Sequence, residues 1–500
     1  MASGRRAWLG LIVLCSLAMH LKGLLSEPLD YHYHRQVNTA AISRNYHENG
    51  LQFLKPQIDW LGGYRGRAAT EFPLYMWLTG AFWSLAGLGA AWGRILSALF
   101  SALAALYLFI LLEEDLGERA ALFAALFFSF MPLEVYFGRT IQPEALALLG
   151  TLGAFYHWKR SLCAPRRWDH WLAASLFAFL AIAHKLPYAY VLGPLGFLAW
   201  QQLGWRALRD LKTLAALTLV LAGVGGWYYY ASFGPYVVPT HGSEFKRMLD
   251  YGRLPYFLWF QFFSRLPELV LTYSGVALAG LGIRALRGKP QGRFYLVWGL
   301  CLAVYIVLGG GYTFHHEYTM LPFVPLCAAL MGLGTCVLLD KTQALAQPSR
   351  SVAAMGLALL LIGVPLHAGL RIGHWYKQDH LFLAKAAEAA KRVSGPEDLF
   401  LGNERAASVF LYYLHRRGWG WDLGEAGESG LAQVEDVRRE GASFFMTEKA
   451  GLFQDAAGVF ARYFYDRYPV AYDQDGILIF DLRLKAPTTG RRAASGPISR

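Results

Sequence analysis

The feature that most constrains this chain is a recurrent run of mostly Leu and Ala residues. Each run is about 18 to 22 residues long with few charges, the length that carries a helix across the hydrocarbon core of a bilayer. Lipid offers no partner to backbone N–H and C=O groups, so such runs must be helical. Over 500 residues, 55% are hydrophobic and only 16% are charged. That composition excludes a soluble protein of this size and leaves a polytopic α-helical membrane protein. The net charge of +12 would suit a nucleic-acid binder, yet Lys and Arg gather in short loops between apolar runs. A positive-inside bias accounts for them, and no nucleic-acid partner is read. Cys15, Cys163, Cys301, Cys327 and Cys336 lie in apolar spans or a basic loop. There is no CxxC and no Cys/His ligand spacing, so neither a disulfide framework nor a structural zinc is predicted.

Taken in order, the runs predict about eleven membrane helices. Arg5 and Arg6 hold the N-terminus in the cytoplasm, and an uncleaved first helix runs from about Ala7 to Leu25. Later spans are read near 92–112, 120–137, from Glu144 to Trp158, up to His184, down to Trp200, and up to the Trp227–Tyr230 aromatic cluster. Residues 233 to about 266 are read as a second external loop. An eighth helix then descends to the basic inner loop RALRGKPQGR, and the last spans follow near 294–308, 321–339 and 352–370. Residues 1–371 form the membrane domain, and its first external loop covers 26–91. After Trp375 the apolar runs shorten. Residues 372–484 predict a small extracytoplasmic α/β domain, with strands in DLFLGN, ASFFMTEKA and ILIFDLRL and helices in LAKAAEAAKRV and AASVFLYYLHRRG. Residues 485–500 read as a disordered basic tail. The localisation implied is a multi-pass plasma (bacterial inner) membrane protein with its C-terminal domain outside.

One polar stretch interrupts this pattern. Ser26–Trp77 is rich in His, Arg, Asp, Glu, Asn, Gln and Tyr, which no lipid-facing segment carries. It belongs at an aqueous face, and a loop of this length with its own helical spacing more often builds a site than merely connects. A short helix is predicted over Val37–Tyr46 and ends at Asn49-Gly50. A second, surface-lying helix begins at Phe72-Pro73 and runs to about Gly87.

Several pieces in this order resemble the GT-C glycosyltransferases, nearest the group of aminoarabinose transferase and the protein O-mannosyltransferases. They are an acidic residue just after the first helix, then HRQVNTAAISRNYHENG, PQIDW and EFPLYMWL. Further along come RILSALFSALAALYLF at Arg94, MPLEVYFGRTIQPEALALLG at Met131, AHKLPYAYVLGPLG at Ala183 and HHEYTMLPFVPLCAALMG at His315. The likeness covers about the first 340 residues. It implies transfer of a sugar, with inversion, from a polyprenyl-phosphate donor to a lipid, glycan or protein acceptor at the outer face of the membrane. A carboxylate would deprotonate the acceptor, cations would stabilise the departing phosphate, and membrane lipid would surround the polyprenyl chain.

Carried over by position, the resemblance implies Asp30 and Glu144 as catalytic carboxylates and Arg139, Lys185 and Arg247 as donor-phosphate ligands. His32, His34, Arg35, Glu71, His315, His316 and Tyr318 are candidate substrate contacts. Each has a plainer reading. Asp30 also suits an interfacial helix end, Glu144 suits the positive end of a helix dipole, and Lys185 suits a snorkelling cation. The His-x-His and His-His-Glu groups lack metal-ligand spacing, so no metal or other cofactor is called for. Relatives carry Lys before the Pro of the surface helix, whereas Phe72 stands here, and Lys55, Arg67 or Arg247 would take its place. A transporter or flippase of a lipid-linked or anionic substrate is the rival reading. It is disfavoured because no repeated halves are visible and the polar site is a loop near the membrane surface.

Overall fold

The computed structural model describes residues 2–62, 66–164, 166–235, 251–404, 408–453 and 458–484. The chain divides into two compact units, 1–56 with 68–378 and 57–67 with 379–500. The short segment 57–67, which the sequence groups with the membrane domain's external loop, belongs to the second unit.

The first unit is helical. Helix α1 (Ala2–Met19) is followed by turns, then α2 (Tyr33–Glu48) and α3 (Leu74–Ala86). Helix α2 is longer than the predicted Val37–Tyr46 and stops at Asn49, with Gly50 at φ +79°. Ten of its residues are buried, among them Gln36, Arg44 and Asn45. It lies against α3 at Gly80, where a Cβ would come within 2.7 Å of the Ser43 carbonyl oxygen. Helix α3 buries Tyr75, Met76, Thr79, Gly80 and Trp83 on one face and exposes Phe82 and Leu85. That distribution suits a helix lying on a bilayer surface.

Next come α4 (Ala90–Leu116), α5 (Glu118–Phe130), α6 (Pro132–Phe137), α7 (Glu144–Cys163) and α8 (Trp168–His184). The predicted span 120–137 is broken between α5 and α6, because Pro132 has no N–H to continue the ladder. Helices α9 (Leu192–Leu203) and α10 (Leu211–Phe233) follow. The second external loop is corrected where it is described. Leu254–Phe260 is helix α11, and Gln261–Leu271 continues it with wider π-type turns around Pro267. Phe257 is buried there while Tyr256, Trp259 and Phe263 are exposed, and a helix satisfies its own backbone where such apolar residues face lipid. The chain then bends by 101° into α12 (Tyr273–Leu286). Helices α13 (Gly292–His315, kinked at Gly310), α14 (Val324–Gln343) and α15 (Ser349–Ile372) complete the unit. Through the kink, α13 continues to His315, beyond the span read near 294–308.

Among the described residues, five helical segments are long and apolar enough to cross a membrane, or up to six if the bent pair 254–286 is one span. The segments are packed by small residues, as in membrane bundles generally. At Gly334 of α14 a Cβ would stand 1.8 Å from the Leu278 carbonyl oxygen of α12. Helix α4 marks the vertical scale. Arg94 lies near its start, and Glu113, Glu114 and Asp115 near its end pair with Arg5, Arg160 and Lys159. Nineteen residues of helix separate Arg94 from Glu113, roughly 30 Å, which matches the hydrocarbon thickness of a bilayer. The N-terminal arginine and the basic end of α7 therefore share one face, and Arg94 stands at the other.

The second unit is a five-stranded mixed sheet in the order β2-β1-β3-β5-β4. The strands are β1 (Leu399–Asn403), β2 (Gly418–Trp421), β3 (Ala442–Glu448), β4 (Val470–Gln474) and β5 (Ile477–Asp481). Strand β1 is parallel to β2 and β3, whereas β5 is antiparallel to β3 and β4. The three predicted strands are present. Strands β2 and β4 and the helices Glu428–Arg439 and Val459–Arg467 were not anticipated. GWGW and VAYDQ are too short and too polar to carry a clear period of two. Segment 57–67 caps the free edge of β2: the Gly418 N–H donates to the Asp59 carbonyl (3.1 Å), and the Leu61 N–H donates to the Gly418 carbonyl (2.6 Å). The Leu61 side chain packs on the apolar core of this unit. The expected tail 485–500 lies outside the described residues.

Candidate active site

Three chain pieces converge at the Arg94 end of α4. The first is the exit of α1, which brings Asp30. This carboxylate is only 1% exposed. Its Oδ1 accepts from Gln36 Nε2 at 2.6 Å and from Arg94 Nη2 at 3.2 Å, and its Oδ2 accepts from Arg139 Nη2 at 2.6 Å. Three of about four acceptor positions on the carboxylate are thus occupied. Both guanidiniums are fully buried and also donate to the Gly23 carbonyl. Arg139 is further enclosed by the rings of Tyr136 and Tyr376, 4.8 and 4.7 Å away. Two guanidiniums thus meet one buried carboxylate.

The second piece joins α2, α3, α7 and α8. Lys185, which ends α8, places Nζ 2.8 Å from Glu71 Oε1 and 2.9 Å from Glu144 Oε1. Arg35 of α2 ion-pairs with both oxygens of Glu71. Glu71 precedes α3, and Glu144 is the first residue of α7, where Pro143 fits the turn before the helix. Burial pushes the Glu71 carboxyl up, but Arg35 and Lys185 outweigh it and hold it at about 2. The same charges act in reverse on Lys185: burial lowers it, as does Arg35, yet Glu144 and Glu71 leave it raised. Both members of this pair are therefore ionised at neutral pH.

The third piece is the segment after α13. His32 Nε2 is 2.9 Å from Glu317 Oε2, and Glu317 Oε1 is 3.2 Å from Arg265 Nη2. The rings of Tyr318 and His316 lie 5.4 and 5.8 Å from that of His32. Burial first, then neighbouring His32 and Lys185, hold His316 down at about 4, so it is neutral. Lys185 stands 5.5 Å over the Tyr318 ring and links this piece to the second.

Of the sequence candidates, Asp30 and Arg139 meet in one group, and Glu144, Lys185, Glu71, Arg35 and Tyr318 in another. His32 and His316 lie beside them. His34 stacks its ring on Tyr33 at 3.8 Å. His315 is exposed and turns toward Phe314, apart from these groups. Arg247 lies outside the described residues. Sequence reasoning assigned no role to Arg94, Gln36 or Arg265, and named Glu317 only as a neighbour of the histidines. Arg94 did leave a signal, a lone cation inside an apolar span. Among the described residues, no three His, Cys, Asp or Glu side chains gather in a way that would hold a metal ion.

Residues 70–230 match the family described as dolichyl-phosphate-mannose-protein mannosyltransferase. That segment contains Glu71, Arg94, Arg139, Glu144 and Lys185. The whole chain is similar to the crystal structure of ArnT from Cupriavidus metallidurans bound to undecaprenyl phosphate. The TM-score is 0.64 at 16% identity, over 95% of this chain and 98% of that one. The chain has the GT-C glycosyltransferase fold. The Archaeoglobus fulgidus oligosaccharyltransferase, in a complex with Zn and sulfate, shares the GT-C fold with a TM-score of 0.62 at 12% identity, over 95% of this chain and 73% of that one. AglB from the same organism, in complex with an inhibitory peptide and a dolichol-phosphate, gives 0.56 at 13% identity over 95% and 74%. No curated protein sequence matches the chain. The GT-C fold is thus supported over nearly the full length by shape, and over 70–230 by sequence.

Proposed function

We propose that this protein is an inverting glycosyltransferase that moves a sugar from a polyprenyl-phosphate donor to a lipid, glycan or protein acceptor at the outer face of the membrane. The observation that carries this reading is the buried charge group at the exit of α1, where Arg94 and Arg139 share Asp30. A lipid phosphate at the membrane surface gains negative charge as its glycosidic bond breaks, and fixed cations in a water-poor setting stabilise that charge more strongly than water does. Arg35 and Lys185, 28% and 8% exposed at their side chains, are the more accessible cations and meet the phosphate. Arg139 and Arg94 add positive potential from behind. Glu71 and Glu144 hold Lys185 extended until the donor arrives, and Asp30 holds the arginines. The bound ligands named for the GT-C structures, undecaprenyl phosphate and a dolichol-phosphate, are polyprenyl phosphates, the carrier that such a donor would release.

The test uses purified protein with radiolabelled polyprenyl-phosphate sugars and a membrane extract as acceptor. Label should move to one acceptor fraction with inverted anomeric configuration. Lys185→Ala and Arg35→Ala should each reduce turnover or donor affinity by at least about tenfold, since one charge-assisted contact is worth about 1.5–3 kcal/mol. Movement of intact donor across vesicles without transfer of its sugar would support the flippase and remove the transferase.

A further inference from the structure

Four helices leave an apolar cavity that the transfer chemistry above does not use. Helix α10 packs on α8, while α9 packs on α7 and α13. Where they meet lies a cavity of about 120 Å³, lined by Trp158 of α7, Ala174 and Ala178 of α8, Leu195 of α9, and Ala216 and Val220 of α10. The alanines are too small to fill it. The polar side chains in its wall are already engaged. The Trp158 indole N–H donates to the Leu195 carbonyl at 2.9 Å, the Ser175 hydroxyl to the Trp171 carbonyl at 3.0 Å, and the Thr213 hydroxyl to Asp210 Oδ2 at 2.8 Å. The wall has nothing to offer a polar guest, and apolar cavities stay dry and take up apolar molecules. This one opens toward lipid: Leu217 lines it and is also exposed on α10, and a Cβ on Gly196 of α9 would meet nothing within 4 Å.

The mouth of the cavity is basic. A short helical turn, Gly204–Arg209, joins α9 to α10 and exposes Arg206 and Arg209, and the connection from α7 to α8 exposes Arg166 and Arg167. The two connections touch, because Lys212 Nζ stands 4.1 Å from the Trp168 ring and Trp171 Nε1 donates to the Lys212 carbonyl at 2.9 Å. These five cations face only Asp169, which pairs with Arg167, and Asp210, which caps α10. Trp168, Trp205, Leu208 and Leu211 are exposed among them, the pattern of a segment lying at headgroup level. From Thr213 the cavity wall climbs seven residues to Val220, roughly 10 Å, within the about 15 Å of hydrocarbon in one leaflet. We propose that the cavity and its basic mouth bind one anionic phospholipid from the leaflet on the Arg5 face. An acyl chain enters between α9 and α10, and the phosphate meets Arg206 and Arg209. A neutral lipid would fill the cavity and leave the cations unmatched, and the cytoplasmic leaflet is the one rich in anionic lipid. This site lies at the opposite end of the membrane domain from Arg94 and does not rest on the transferase reading.

The experiment places the full-length protein in phosphatidylcholine nanodiscs doped with a phosphatidylglycerol that carries a diazirine in its acyl chain, and maps the crosslinks after illumination. Label should concentrate on residues 158, 174–178, 192–196 and 213–220 and be displaced by unlabelled phosphatidylglycerol. Gly196→Leu extends a side chain into open space at the mouth and should remove most of that label without disturbing the fold. Arg206→Gln combined with Arg209→Gln should raise the amount of probe needed for half-maximal labelling by about tenfold. Even labelling of these helices and of the exposed Leu359, Ile362 and Leu366 on α15, or unchanged labelling of Gly196→Leu, overturns the site. Equal labelling by a phosphatidylcholine probe, or an unchanged probe requirement in the double arginine variant, overturns the choice of an anionic lipid. Stronger displacement by a polyprenyl phosphate than by phosphatidylglycerol gives the cavity to the donor's chain and overturns the proposal as well.

Discussion

At the scale of single residues, the site is built from charges that hold one another. Asp30 joins two buried guanidiniums, and its neutralisation leaves them uncompensated. Breaking a buried pair of this kind costs about 3–5 kcal/mol. Asp30→Asn should therefore lower the thermal unfolding midpoint in detergent as well as activity, and an unchanged midpoint would deny the anchoring role. Glu71 gives a pH signature. Its carboxyl is held at about 2 against an ordinary 4.5, so the folded form binds its proton less readily than the unfolded chain. The stabilisation is complete above about pH 4.5 and is lost as pH falls toward 2. The acid-stability curve of Glu71→Gln should lack that part of the decline, and identical curves for mutant and wild type would remove the assignment.

At the scale of elements, segment 57–67 departs furthest from what a connecting loop does. The chain leaves the membrane unit at Pro56, pairs with the edge of β2, and returns at Ala68, three residues before Glu71. Capping satisfies the Gly418 N–H and C=O, groups that a bare edge strand offers to other chains. The Leu61 and Gly418 amides should exchange slowly with solvent deuterium. Leu61→Ala should speed both and cost about 1–2 kcal/mol of apolar burial. Rapid exchange at both amides in the wild type would mean that the edge is open in solution.

At the scale of the molecule, the paired charges at the two ends of α4 divide the protein into faces. Arg5 and the basic end of α7 mark one, and Asp30 with its arginines marks the other. If the first face is cytoplasmic, as the positive-inside bias requires, the site opens outward. In otherwise cysteine-free protein, exposed Asn49→Cys and Gln474→Cys should react with a membrane-impermeant maleimide in intact cells. Retained Cys163, exposed at the end of α7, should not. Protection of either introduced cysteine, or labelling of Cys163, would contradict this topology.

The class of fold and the polar stretch that carries the site were legible in the sequence, because both rest on local physics. Apolar runs must be helical in lipid, and a segment such as HRQVNTAAISRNYHENG cannot face lipid. Asp30, Glu144, Arg139 and Lys185 could be named because the resemblance to the GT-C enzymes follows short pieces in their order along the chain. The tertiary structure alone decided who meets whom. Arg94, Arg139 and Gln36 reach Asp30 from three elements, and Glu317 reaches His32 across 285 residues of chain. Helical periodicity is blind to such separations: it gives the face a side chain occupies, while the partner on that face is set by how other helices pack. The same limit hid the edge pairing of 57–67, which exists only because a strand more than 350 residues later offers an N–H and a C=O in register.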